Sequence, residues 1–372
     1  MKVSSGLKRF IFQVAMICVG VIGYNILAMQ SKSYQPGDLG MGVATTSHIE
    51  YWHDRQINEI EGGCLDILPV IYSAKQENKK LVLLIGNSQL HAINYYNHDD
   101  HLTIYYLNKL ASNAPKPTQF IQLSSPNINY QEVLLYYLTL RSKNALPQGL
   151  VIGCPYRTFH LFSLRKDFLK QLENLSLDSI SLSKEVMDYF KTMQSTIKTV
   201  SKSAATDNSL QVKTENWITT FMEESWQAYR YRENLRAIMK VFPGIAYRFI
   251  FKTNVYYAGT EAIESLNMNF LNQLIELCIQ DHVELFIYQP PQPKINVFPY
   301  DKTDYTNRFK HIEAQSHRSN LIHFRALENI VPNEFWGNDN AGRLDIFHFK
   351  DEGHRILADS LYKYVKEESD AF

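Results

Sequence analysis

The sequence predicts a three-layer α/β domain whose parallel sheet is covered by helices on both faces. Two observations lead there. Leu81-Val82-Leu83-Leu84-Ile85 is an unbroken apolar run stopped by Gly86, the pattern of a strand buried on both sides. Beyond it, strand-like segments at 120–123, 150–152, 283–288 and 321–324 alternate with helix-like segments at 130–141, 262–279, 305–316 and 352–365. Strands separated by helices pair in parallel through crossovers. Apolar residues make up 45% and charged residues 20% of the 372, ordinary globular material for such a core.

The elements follow in chain order. Lys2, Lys8 and Arg9 precede residues 10–29, which carry no charge; about twenty such residues cross a bilayer core of roughly 30 Å. A cleaved signal peptide needs a shorter apolar region and a small-x-small site, and Ile26-Leu27-Ala28 is a poor one. Residues 1–30 are therefore expected to form a cytoplasmic tip and a transmembrane signal-anchor, with everything after Gln30 outside. Residues 31–78, with Pro36, read as a tether and lead-in, and residues 79–372 as the catalytic domain. Within the latter, residues 160–260 show helical periodicity and no strand, an inserted helical subdomain. Its aromatics, Trp217, Phe221, Trp226 and Tyr229 among them, either pack the insertion's own core or meet a partner or lipid surface.

Composition excludes some functions. Lysine plus arginine equal aspartate plus glutamate at 38 each, so there is no basic field, and no nucleic-acid partner is expected. Cys18 lies in the span, which leaves Cys64, Cys154 and Cys278 for at most one disulfide, with buried thiols as the alternative. No CxxC or metal-spaced set occurs, and neither metal nor cofactor is expected.

Chemistry gathers at two places. Ser88 follows the first strand in Gly86-Asn87-Ser88-Gln89, where parallel sheets form their sites, just beyond the carboxyl ends of strands. A free hydroxyl is a poor nucleophile at neutral pH and needs a base; without one, this serine would merely cap the next helix. The base is offered by Leu344-Asp345-Ile346-Phe347-His348-Phe349. In a compact turn, Asp345 can hold one ring nitrogen of His348 and leave the other facing Ser88. Asp351 reads as the cap of the last helix, His354 as a packing or supporting residue, and His91 as a solvated helix histidine. Tyr288-Gln289-Pro290-Pro291-Gln292-Pro293 reads as a rigid rim. Phe335-Trp336-Gly337-Asn338 is either a sugar-stacking surface or a packed loop.

At these residues the chain resembles the SGNH/GDSL hydrolases. Gly86-Asn87-Ser88 stands where that family has Gly-Asp-Ser, Asp345-Ile346-Phe347-His348 matches its C-terminal DxxH block, and the order is the family's. The resemblance covers residues 79–368 less the insertion, and it implies a flavodoxin-like sheet. The Gly-x-Ser-x-Gly elbow of α/β-hydrolases is absent. Two middle blocks depart from the pattern. Ser124-Ser125-Pro126-Asn127 replaces an oxyanion-hole glycine, and Gly153-Cys154-Pro155-Tyr156-Arg157 replaces Gly-x-Asn-Asp. By analogy the Ser88 N–H is one oxyanion donor, with Asn127 a candidate for another; Arg157 would do the same or bind an anionic substrate, and the alternative for each is a hydrogen bond within its own loop.

Such departures look like the family's membrane-anchored branch. That resemblance implies a bacterial, single-pass inner-membrane protein with its catalytic domain in the periplasm or outside the cell. It would work beside a membrane-bound O-acyltransferase on acyl esters, O-acetyl above all, of a glycan or related cell-surface polymer. Hydrolase and acyltransferase share the first half of the reaction, so the motifs leave both open. The alternative is a non-enzymatic adaptor of the same fold in a membrane acyltransferase or polysaccharide-export complex.

Overall fold

The structure, a computed structural model, describes residues 45–369 except 63, 65, 162–163, 296–299, 339–343 and most of 207–260, with Gly23 alone before them. Among the described residues no helix is long and apolar enough to cross a membrane. The expected anchor (Gly23 apart), the tether as far as residue 44 and the insertion's aromatic stretch lie outside the described residues. By internal contacts the chain falls into two units, residues 42–200 with 254–372 and residues 1–41 with 201–253. The sheet and the candidate site belong to the first.

Its sheet has six strands, β1 (Asn58–Ile60), β2 (Lys80–Gly86), β3 (Thr118–Ser124), β4 (Gly149–Gly153), β5 (Glu284–Gln289) and β6 (Ile322–Ala326). They lie in the order β6-β5-β4-β2-β3-β1, and every pairing is parallel. Counted from β2, this is the flavodoxin-like order, with β1 added at the edge. The helices are α1 (Leu68–Gln76), α2 (Ser88–His91), α3 (Thr103–Ala111), α4 (Tyr130–Ser142), α5 (Lys166–Asn174), α6 (Lys184–Thr206), α7 (Glu261–Gln280), α8 (Lys302–Ser316) and α9 (Asp351–Glu368).

Side chains of a strand point alternately to opposite faces, which divides the apolar run of β2 between two cores. Leu81, Leu83 and Ile85 join one core with residues of α1, α4, α7 and α8. Val82 and Leu84 join the other with residues of α3 and α9. That split makes the three layers. The predicted α4 begins where its local chemistry says it should, at Asn129, whose side chain accepts from Glu132 N–H while Glu132 reaches back to the Asn129 N–H, a capping box.

Two features depart from expectation, and one stretch is described only in part. The sheet starts before residue 79, since β1 and α1 both come from the lead-in. The stretch read as an insertion opens with α5 and α6, and of residues 207–260 only Ile218 and Met222 are described. Finally, the DxxH segment is not a compact turn. It forms an extended strand, Leu344–Phe349, in a second small sheet with Thr46–Ser47, Ala92–Ile93 and Trp336–Asn338. Ala92–Ile93 pairs antiparallel with Thr46–Ser47 and parallel with Phe349, and the Trp336–Asn338 strand pairs antiparallel on the far side.

Candidate active site

The strand order reverses between β2 and β4, and in parallel sheets this switch point opens a crevice at the carboxyl ends. β2 delivers Ser88 there. Gly86 closes the strand with no side chain; a Cβ on it would sit 2.4 Å from Leu90 Cδ1, so glycine lets the helix fold back onto the strand end. Asn87, extended at φ −93° and ψ −165°, caps α2, its side chain accepting from the Gln89 N–H at 3.1 Å. The cap is thus Asn87, and the half-buried Ser88 hydroxyl is left for other work.

Its partner comes from 260 residues away: His348 Nε2 lies 3.0 Å from Ser88 Oγ. On the other side of the ring, His348 Nδ1 lies 2.8 Å from Asp345 Oδ2. A carboxylate can only accept, so Nδ1 carries the proton and Nε2 presents its lone pair to the hydroxyl. Asp345 Oδ1 accepts from the N–H groups of Phe347 and His348 at 2.8 and 3.3 Å. Both Asp345 and His348 are buried. Burial pushes the Asp345 carboxyl up, but the bond and charge of His348 and the two backbone N–H groups outweigh it and hold the carboxyl below its ordinary range.

The other predicted residues stand around this row. Asn127 is exposed at φ 53°. It occupies the left-handed position of a turn begun by Pro126 and closed by the Ile128 N–H on the Ser125 carbonyl at 3.2 Å. Arg157 is half-buried in the short 3-10 turn Tyr156–His160, directly beyond β4. Pro155 starts that turn at φ −67° and ψ 148°, and Tyr156 behind it stacks on Tyr300 at 4.4 Å between ring centres. The proline segment after β5 does border α2, because Gln89 Nε2 donates to the Pro291 carbonyl at 3.3 Å.

Some expectations are corrected. His91 is not solvated: it is fully buried, neither ring nitrogen has a hydrogen-bond partner among the described residues, and burial, with His348, Arg165 and His354 adding to it, pushes its pKa down to about 3. Asp351 does not cap the last helix. Lys350 holds the cap position, and Asp351 accepts instead from the His101 N–H at 2.8 Å and the Tyr106 hydroxyl at 2.6 Å. Trp336 is packed rather than presented for stacking, its ring 4.6 Å from Phe349 and its N–H on the Val331 carbonyl at 3.2 Å. His354 is a supporting residue, bonded to the Thr103 hydroxyl at 2.9 Å and to the Ala92 carbonyl at 3.3 Å. The three described cysteines are free, buried thiols. Sequence reasoning missed Asn94, which touches Asp345; no motif surrounds it, and only the fold could have exposed its contact.

No family model matches the chain, and no curated protein matches it. Among solved structures that match is an active-site mutant of a family two carbohydrate esterase from Clostridium thermocellum. It is 10% identical with a TM-score of 0.32, and the match covers 77% of this chain and 63% of that one. The chain therefore spans less than two thirds of that structure's length.

Proposed function

We propose that the chain is a serine esterase or O-acyltransferase that works through an acyl-enzyme on Ser88. One observation carries this reading: a single imidazole is bonded at once to a half-buried serine and a buried carboxylate at the sheet's switch point. Ser88 Oγ attacks the acyl carbonyl carbon while His348 Nε2 takes its proton. The tetrahedral adduct then expels the alcohol, which His348 protonates, and leaves an ester on Ser88. Water or a sugar hydroxyl, deprotonated in turn by His348, releases the acyl group to itself. The Ser88 N–H is one donor to the oxyanion. Asn127 and Arg157, in the segments just past the neighbouring strands β3 and β4, are the side chains assigned to supply more, since Pro155 has neither an N–H nor a polar side chain.

The finer parts of the reading rest on the resemblance to the membrane-anchored SGNH/GDSL branch. They are an uncleaved N-terminal anchor in a bacterial inner membrane, an extracytoplasmic catalytic domain, acyl esters of a cell-surface glycan as substrate, and a membrane-bound O-acyltransferase as partner. The test is turnover of p-nitrophenyl acetate by the purified full chain, with and without a sugar acceptor. The reading expects release of p-nitrophenol that Ser88→Ala abolishes, and an acyl-sugar product if transfer dominates. One observation favours the adaptor alternative, the proline at the third block. A folded chain that co-purifies with a membrane acyltransferase and shows no turnover is the result that alternative expects.

A further inference from the structure

Asn94 is fully buried one residue past the short strand Ala92–Ile93. Its own N–H donates to the Phe349 carbonyl at 2.7 Å, which seats it against the strand carrying Asp345 and His348. Its side-chain amide pairs with both backbone groups of Asn338: Oδ1 accepts from the N–H at 3.2 Å and Nδ2 donates to the carbonyl at 3.1 Å. The two Nδ2 hydrogens are shared among three acceptors, since Thr45 Oγ1 stands 2.8 Å and Asp345 Oδ2 3.3 Å from the same nitrogen. Chemistry fixes this orientation. The reverse one would set the amide oxygen against a carbonyl and a carboxylate, and the amide nitrogen against an N–H.

Asp345 Oδ2 is the same atom that receives the His348 Nδ1 proton. Its fellow oxygen is served from within the DxxH segment by two backbone N–H groups. Among the described residues, Asn94 is the donor that reaches Oδ2 from another element. Among the described residues, the groups bonded around it, Thr45, Asn338 and Asn94 itself, do not titrate, and His348 is the titratable group in contact with this carboxylate. A buried carboxylate with both oxygens served stays ionised and keeps one orientation, and both are needed to hold an imidazole in the tautomer that activates a serine.

We propose that Asn94 is a positioning residue of the triad, holding Asp345 against His348 and tying that carboxylate to Asn338 and to Thr45. This rests on the esterase reading of Ser88, His348 and Asp345. Thr45 lies beside the strand Thr46–Ser47 that pairs with Ala92–Ile93, so the chain's lead-in and the triad acid share one amide.

The test compares the full chain with Asn94→Ala, Asn94→Asp and Ser88→Ala, each checked for folding by circular dichroism. It reads kcat and KM on p-nitrophenyl acetate and the downfield Nδ1 proton signal of His348 in histidine-labelled protein. Asn94→Ala is expected to lower kcat by about 10- to 100-fold, the loss of one bond to a charged group, with KM within about twofold, and to weaken or shift the Nδ1 signal. Asn94→Asp keeps the side chain's volume and its acceptor for Asn338, so it serves if the alanine variant does not fold. Set against a second carboxylate, it should lose more activity than the alanine variant. An Asn94 variant with wild-type kcat and an unchanged signal overturns the proposal, as does a fall in activity with the signal intact. Ser88→Ala separates the two readings: it should lose turnover and keep the signal. If it keeps turnover, the esterase reading fails, and the signal in the Asn94 variants still judges the positioning role.

Discussion

Asp345 shows how a buried acid can stay charged. It is held below the ordinary carboxylate range only because His348 and two backbone N–H groups together outweigh the cost of its burial. Asp345→Asn preserves the shape but offers a neutral amide, which lets the imidazole take the wrong tautomer. Turnover should drop by about 10^4-fold, the scale of such losses in serine triads; an asparagine variant within tenfold of wild type would contradict that role. His91 and His354 act at the same scale but on stability. Burial pushes both down to about 3 from an ordinary 6.5, so each is neutral when folded and takes up a proton when unfolded at any pH between those values. The unfolded chain then binds more protons, and stability is complete above 6.5 and falls as the pH drops toward 3. Each full proton of difference removes about 1.4 kcal/mol per pH unit. His91→Leu should move the acid-unfolding midpoint, followed by tryptophan fluorescence, to lower pH. A midpoint unmoved or raised would count against this account of His91.

At the scale of elements, the small sheet carries Asp345 and His348 and was the least legible part of the sequence. Two-residue strands such as Thr46–Ser47 and Ala92–Ile93 are too short to show a period. The Leu344–Phe349 strand buries Asp345 and His348 while leaving Ile346 and Phe347 partly exposed, the reverse of the apolar-inward rule that sequence reading relies on. β1 was hidden for a related reason, since two of its three residues are the buried polar Asn58 and Glu59. By contrast β2 to β6 and α4, α7, α8 and α9 were readable, because long apolar runs and helical periods survive without tertiary context. The small sheet's packing yields its own prediction. A Cβ on Gly337 would fall 1.9 Å from Asn94 Cγ, so Gly337→Ala should destabilise the fold by about 1–3 kcal/mol and lower the thermal midpoint. A midpoint equal to wild type would mean the close approach carries no strain.

For the whole molecule, topology explains why two segments 260 residues apart meet. β2 lies at the centre of the sheet, next to the reversal in strand order, and the small sheet brings the segment just before α9 alongside α2. Chain order made Ser88 and the Asp345–His348 segment legible as a pair: a serine past the first long strand and an aspartate and histidine just ahead of the last helix. Donors for an oxyanion were not legible in the same way, because backbone N–H groups leave no trace in residue identity and Pro155 stands where a polar side chain would have marked the end of β4. The central claim is that His348 activates Ser88, and covalent labelling by a serine-directed phosphonate, followed by peptide mass spectrometry, tests it most directly. The account predicts a single adduct on Ser88 of the full chain, none in Ser88→Ala, and labelling at least about 10^3-fold slower in His348→Ala. Equal labelling of the wild type and either variant would contradict it.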